Sequence, residues 1–195
     1  PHIQKRHRSK DTVWKSLLGG ISAVVNSSVL APMTLLMLAV GCLVVGGGYF
    51  VIVPILVRDE YMGGYGLLSS LLVIFWIGAF VANLILARIG SVEQPGLLLM
   101  AAQVVTVVSM GLLALPIPLY WLFVMVFGWG LGGGVAITLS RAVVQENAPR
   151  DKVARVMSVY QLGLFGGMPL GGYVMGYVVA ELGPRREALL HMAGL

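Results

Sequence analysis

The chain has 195 residues, 58% of them hydrophobic and only 11% charged, with a mean hydropathy of +0.91. Soluble domains carry about 25% charged residues, so an ordinary water-soluble fold is excluded, and a net charge of +5 outside the apolar runs marks loops at a membrane face rather than a nucleic-acid surface. One cysteine, Cys42, and histidines only near the ends (His2, His7 and His191) exclude an intrachain disulfide, a cysteine-cluster metal site and histidine chemistry in mid-helix.

In chain order, Lys5, Arg6, Arg8 and Lys10 form a basic tail set against anionic headgroups. The chain starts at Pro1, and residues 1–10 are too basic and polar for the apolar core of a signal peptide, so the sequence reads as a fragment. From Asp11, taken as an N-cap, the residues Val13, Trp14, Leu17, Leu18, Ile21, Val24 and Val25 recur at helical spacing. The segment is too short and interrupted to cross a bilayer. It reads as an amphipathic helix on the interface within a cytoplasmic stretch of residues 1–30, with a soluble docking helix as the alternative.

Residues 31–195 read as an all-α, polytopic transmembrane helix bundle. The first span covers about residues 31–57, with Pro32 in its first turn, Gly46, Gly47 and Gly48 at its middle for close approach or bending, and Pro54 expected to kink it. Arg58, Asp59 and Glu60 close it, and Gly63, Gly64 and Gly66 make a turn-rich connection. The second span, about 67–89, holds Trp76 and Asn83 and ends in a loop with Arg88, Gly90 and Glu93. The third, about 96–115, carries Gln103, Thr106 and Ser109 on one side, and Pro116 and Pro118 bracket a tight turn. The fourth, about 119–144, contains two close-approach pairs, Gly128 with Gly132 and Gly130 with Gly134.

A basic loop from Asn147 to Arg155, marked by Pro149 and Arg150, then feeds a fifth span at about 156–179. There Gly163, Gly167 and Gly171 recur every four residues, leaving one face almost without side chains. Two readings fit this stripe, a close-packed scaffold helix and a helix that rocks against its neighbours. Gly183 and Pro184 are expected to stop the span, and a truncated last span starts at about residue 185. With the tail cytoplasmic, Lys5, Arg6, Arg8, Lys10, Lys15, Arg88, Arg141, Arg150, Lys152 and Arg155 face inward and Arg58, Arg185 and Arg186 outward, ten against three, which agrees with five spans.

No catalytic set stands out. The spans carry no mid-depth acid, and the glycines at 46–48 and 130–134 lack the lysine and hydroxyl of a phosphate loop, so the chain reads as no enzyme, with no cofactor and no metal. Intramembrane polarity is costly unless it faces protein or water, which singles out Tyr49, Asn83, Gln103, Thr138, Tyr160 and Gln161 for interhelical hydrogen bonds or substrate contact. Arg141, near the end of the fourth span with Gln145, can snorkel to the cytoplasmic face, pair with Glu146 or Asp151, or gate. Phe50, Phe75, Trp76, Trp129, Tyr160 and Phe165 fall inside spans, where rings among glycines fit a cavity for bulky apolar cargo and fit ordinary packing too.

The run from Asn147 to Ser158, followed by Gly167, Pro169, Leu170, Gly171 and Gly172, resembles the loop between the tenth and eleventh helices of the major facilitator superfamily and the start of the eleventh. The nearest resemblance is to its bacterial drug and siderophore efflux branch, the enterobactin exporter-like carriers. Pro54, Arg58 and Asp59, then Gly66, Leu67 and Gly78, look like the seventh helix, its outer loop and the eighth helix. Arg88 and Gly90 match the arginine and glycine of the repeated loop motif, whose other positions are replaced here by Asn83, Ala87, Ser91 and Val92. Residues 167–172 are similar to the glycine-proline motif of antiporters, shifted by one residue.

The resemblance implies the carboxy-terminal half of a twelve-helix carrier in a bacterial inner membrane, partnered by lipid, by an amino-terminal six-helix half and by a small organic substrate. The first, second, fourth and fifth spans would line the cavity, the third would brace them, and the halves would rock about a midplane site. Proton-coupled efflux would then draw its acid from the other half. A non-transporting scaffold or sensor with the same fold, and an uptake carrier, are the alternatives.

Overall fold

The computed structural model describes residues 10–192 except 91, 114 and 116, with side-chain surroundings described within residues 18–181. The basic tail ahead of residue 10 and the side chains of Trp14, Lys15, Arg185 and Arg186 lie outside the described residues. Every regular element among those described is helical. In hydrocarbon each backbone amide and carbonyl must be satisfied within its own segment, and a helix does this without partners.

α1 spans Lys10–Val25. It starts one residue before Asp11, which therefore sits inside the first turn instead of capping it. The first membrane-length helix, Leu30–Asp59, is continuous but changes pitch: α2 (Leu30–Ala39), a wider π segment (Val40–Ile52) and α3 (Val53–Asp59). Ser27 prepares its start, its hydroxyl accepting from the Leu30 amide at 3.2 Å. Pro54 is the second residue of α3 and lies inside the continuous helix, where its missing amide removes one helical hydrogen bond. α4 (Tyr65–Ile89), α5 (Pro95–Leu112) and α6 (Leu119–Asn147) follow, with Pro95 and Pro118 at or before the first helical turn.

α7 runs unbroken over Val153–Met192, and its apolar, membrane-length part is Val153–Glu181. The expected stop at Gly183 and Pro184 does not occur. A proline in a helix removes one amide and crowds one carbonyl, and helices built for membranes tolerate this where water or neighbours satisfy the freed group. Among the described residues five helices are long and apolar enough to cross a membrane.

Two apolar clusters fix the up-and-down arrangement. Val24, Leu30, Met37 and Val40 meet Val144, Ala148, Val156, Tyr160 and Leu164, so the start of the first span lies beside the end of α6 and the start of α7. At the other end Val53 and Val57 meet Leu71, Leu113, Leu122, Val126 and Trp129. α6 packs against α4 on one side and α5 on another, while α7 packs along α2 and the π segment.

Glycine makes these contacts close. A methyl carbon at Gly167 would lie 2.7 Å from the Leu38 carbonyl oxygen and 3.0 Å from the Cys42 nitrogen. One at Gly171 would collide with the Cys42 carbonyl, and from the facing helix Gly41 and Gly46 press on the carbonyls of Leu164 and Met168. α6 carries two such seams. Gly130 and Gly134 abut Phe75 and Ala79 of α4, where Gly78 answers against Phe127, and Gly128 and Gly132 abut Ser109, Thr106 and Ala102 of α5. Between tails as apolar as leucine, such backbone proximity and the dispersion it brings hold helices together.

At the end opposite the α6–α7 loop, the Tyr61 hydroxyl donates to the Ile117 carbonyl oxygen at 2.7 Å, joining the connection after α3 to that before α6. Partial desolvation, with the charge of Glu60 second, raises the Tyr61 pKa.

Gly171→Ala or Gly130→Ala should destabilise the bundle by about 1–3 kcal/mol through overpacking, whereas Gly176→Ala, which meets nothing within 4 Å, should leave stability unchanged or raise it by about 0.5–1 kcal/mol; thermal unfolding in detergent reads the contrast. Because the pKa of Tyr61 is higher folded than unfolded, its stabilisation is full below about pH 10 and is lost as pH rises through the raised value. Tyr61→Phe should therefore lower the melting temperature near neutral pH and abolish that part of the alkaline loss.

Candidate functional site

An aromatic cluster joins three of the spans. Tyr49 of the π segment packs edge-on to Phe50 and Trp129, with ring centroids 5.7 and 5.6 Å away, and tilts against Phe75 at 5.7 Å. Phe75 in turn meets Trp129 at 5.9 Å and Trp76 at 5.7 Å, both edge-on. Edge-to-face geometry sets the positive ring edge against the negative face and adds to apolar burial. The cluster has a closed side and an open one: Trp129 is 2% exposed, Phe50 61% and Trp76 63%. The Tyr49 hydroxyl oxygen is buried with no hydrogen-bond partner among the described residues, a costly state for a polar group.

Polar groups continue the open side along α4 and α6. Trp76, Phe80 and Asn83 follow one another at four and three residues on α4, so they share a face. All three are exposed. The Thr138 hydroxyl of α6 donates to the Asn83 Oδ1 at 2.5 Å, and the Asn83 Nδ2 donates to the Ala79 carbonyl at 2.7 Å. Arg141 and Gln145, three and seven residues after Thr138, are exposed on the same side of α6. Arg141 does not pair with Glu146 or Asp151. The one salt bridge among the described residues joins the exposed neighbours Arg58 and Asp59.

The remaining candidates fall elsewhere. Tyr160 is fully buried, and its hydroxyl lies 2.7 Å from the Ser140 Oγ, a hydrogen bond between α6 and α7 inside the core. It is a packing residue in this structure and not part of an open face, because Val156, Leu164 and Val144 close around it. Gln161 and Phe165 are exposed on α7, and among the described residues Phe165 makes no ring pair with the cluster. Among the glycines, Gly128, Gly132, Gly167 and Gly171 lie in the seams, Gly163 is looser, with the Thr34 carbonyl 3.3 Å from an added methyl carbon, and Gly172 has only a van der Waals neighbour in Gly46. Pro169 is exposed.

In the loops, Arg88 is exposed in the last turn of α4, and Gly90 ends that helix at φ 75°, a left-handed conformation that favours glycine. Pro149 and Arg150 are exposed in the turn before α7, where the Lys152 amide donates to the Pro149 carbonyl at 2.8 Å. The Arg155 side chain is exposed, while its backbone supports Gly20 of α1.

Sequence reasoning missed Phe80 and Ser140. The four-residue interval from Trp76 marks Phe80, but Ser140 has no local signal, since its partner lies 20 residues away. Rings, the amides of Asn83 and Gln145, the Thr138 hydroxyl and the Arg141 guanidinium, with no carboxylate between Glu93 and Glu146, form a surface whose groups can bind and release a solute. Among the described residues no group of His, Cys, Asp or Glu is arranged to hold a metal.

Exposed polar groups in a membrane-length helix belong against water or another polypeptide rather than acyl chains. In a Cys42→Ala background, Thr138→Cys should react with a membrane-impermeant charged thiol reagent much faster than Val107→Cys on the exposed apolar side of α5. Equal rates would mean that the polar pair faces lipid.

The family model of the Major Facilitator Superfamily matches residues 1–193. No curated protein and no solved structure matches the chain.

Proposed function

The chain belongs to the Major Facilitator Superfamily, a superfamily of transporters, and we propose that its transport is proton-coupled export of amphipathic organic molecules of drug or siderophore type. The observation that carries the reading is the open aromatic side continued by a polar one. Phe50 and Trp76 offer rings to an apolar or cationic body, and Asn83, Thr138 and Arg141 offer hydrogen bonds and a charge to its polar end. In this reading the five spans pair with a second six-helix half, the open side turns towards that half, and the substrate lies between them. The first span, α4, α6 and α7 border the path and α5 braces α6 from outside.

The rocking step falls on the seam between the first span and α7. Gly41, Gly46, Gly167 and Gly171 meet backbone there, so a small shift trades one backbone contact for another. With no carboxylate in the interior of these spans, the proton-binding acid belongs to the other half. The membrane is the bacterial inner membrane and the α6–α7 loop, with Arg150, Lys152 and Arg155, is cytoplasmic.

Cells producing the transporter should accumulate less of an amphipathic dye than vector controls, and a protonophore should remove the difference; no difference across a broad panel of dyes and siderophores would favour a non-transporting scaffold. Trp76→Ala should slow export about tenfold, the loss of about 1.4 kcal/mol of contact with the substrate. Tyr49→Phe, which deletes the unpartnered hydroxyl, should leave the melting temperature unchanged or raise it while weakening export of substrates with a polar head.

A further inference from the structure

α1 has three faces, and the fold accounts for one. Gly20 and Val24, four residues apart, are buried. Val24 joins the cluster at the start of the first span and α7, and a methyl carbon at Gly20 would lie 3.0 Å from the Arg155 carbonyl oxygen and 3.1 Å from the Arg155 Cβ. A second face is polar and exposed, with the Asn26 Nδ2 donating to the Ser22 Oγ at 3.2 Å. The third, Leu18, Ile21 and Val25, is apolar and exposed, with Leu18 at 60% and Val25 at 68%. Their spacing of three and four residues makes one continuous stripe.

What covers that stripe follows from its place and its charge. Only residues 26–29 separate α1 from the membrane-crossing Leu30–Asp59, and Val29, still exposed, carries the apolar surface across to it. A helix with adjoining apolar and polar stripes at this level lies in the boundary between headgroups and acyl chains. The first 15 residues of the sequence hold Lys5, Arg6, Arg8, Lys10 and Lys15 against the single acid Asp11, an excess that anionic headgroups satisfy and that a second copy, equally basic, would repel.

We infer that α1 is a docking helix for anionic phospholipid, with Leu18, Ile21 and Val25 sunk into the acyl boundary and the positive charge of the first 15 residues of the sequence favouring anionic over neutral headgroups. Its buried face rests through Gly20 on the backbone of Arg155 in the first turn of α7. The lipid surface thereby holds the start of α7 against the start of the first span, and the composition of the leaflet bears on a helix of the bundle without any ligand in its interior.

The test uses the full chain with Cys42→Ala and one new cysteine carrying an environment-sensitive fluorophore, in vesicles of phosphatidylcholine with phosphatidylglycerol or of phosphatidylcholine alone. At Ile21→Cys the emission should shift to the blue and be quenched by spin-labelled lipid, more strongly with phosphatidylglycerol present, while Ser22→Cys and Asn26→Cys stay accessible to an aqueous quencher. Changing Lys5, Arg6, Arg8, Lys10 and Lys15 together to Gln should erase the difference between the two vesicle types. Gly20→Leu, which disturbs only the seat on Arg155, should leave the lipid quenching at position 21 in place. Equal aqueous quenching at positions 21 and 22, or ready cross-linking of Ile21→Cys between two copies, would overturn the assignment. The readout is lipid contact, so it is independent of whether the carrier exports.

Discussion

Backbone must touch backbone for these helices to stay together. Water drives apolar side chains into a soluble core, but acyl chains give no such push, and close packing has to supply the attraction. The chain supplies it by removing side chains where helices cross. A β-carbon at Gly41, Gly46, Gly130, Gly132 or Gly171 would overlap a neighbouring helix, in each case meeting a main-chain carbonyl or a short side chain. α6 shows how few residues are needed. Positions two apart in an α-helix point about 200° from one another, so the interleaved pairs Gly128 with Gly132 and Gly130 with Gly134 grip α5 and α4 at once.

That grip determines where larger residues go. With α4 drawn onto one side of α6 and α5 onto another, the side of α6 bearing Trp129 is left for the first span, and Tyr49 fills it. Phe50 and Trp76, next in sequence to rings in that contact, are turned outward by helical rotation. The open aromatic side is thus a geometric consequence of the seams. The π segment contributes as well. Its wider turn carries Gly46 against Met168 and Tyr49 towards Trp129 within three residues, one contact on α7 and the next on α6.

Much of this could be read from residue order, and the remainder could not, for identifiable reasons. Apolar runs of membrane length bounded by charged or proline-rich turns announce five spans, because lipid allows little else. Glycines four apart announce close contact, but spacing does not say with what; that Gly171 meets Cys42 and Gly132 meets Thr106 depends on pairings more than 25 residues apart in sequence. Pro184 looks like a stop when only local cost is weighed, and the helix continues to Met192 regardless. The π pitch of residues 40–52 has no local signature beyond its glycines. Tyr160 looks like cavity lining by residue type, and only its long-range partner Ser140 shows the side on which it lies.

The two hydroxyls of α6 at positions 138 and 140 make the same point about environment. Separated by about 200° of helical rotation, Ser140 enters the core and is fully satisfied: it donates to the Ala136 carbonyl at 2.6 Å or shares its proton with Tyr160 at 2.7 Å, and nothing further is required of it. Thr138 reaches out to Asn83 on an exposed side, where the amide still has donor and acceptor capacity beyond the bonds it makes. Hydrocarbon would leave that capacity empty at a cost of several kcal/mol per group. A closed pair needs no partner and serves as structure. An open pair beside Arg141 and in line with Trp76 and Phe80 needs water, protein or a solute, so the two sides of α6 are told apart by which hydrogen bonds they finish and which they do not.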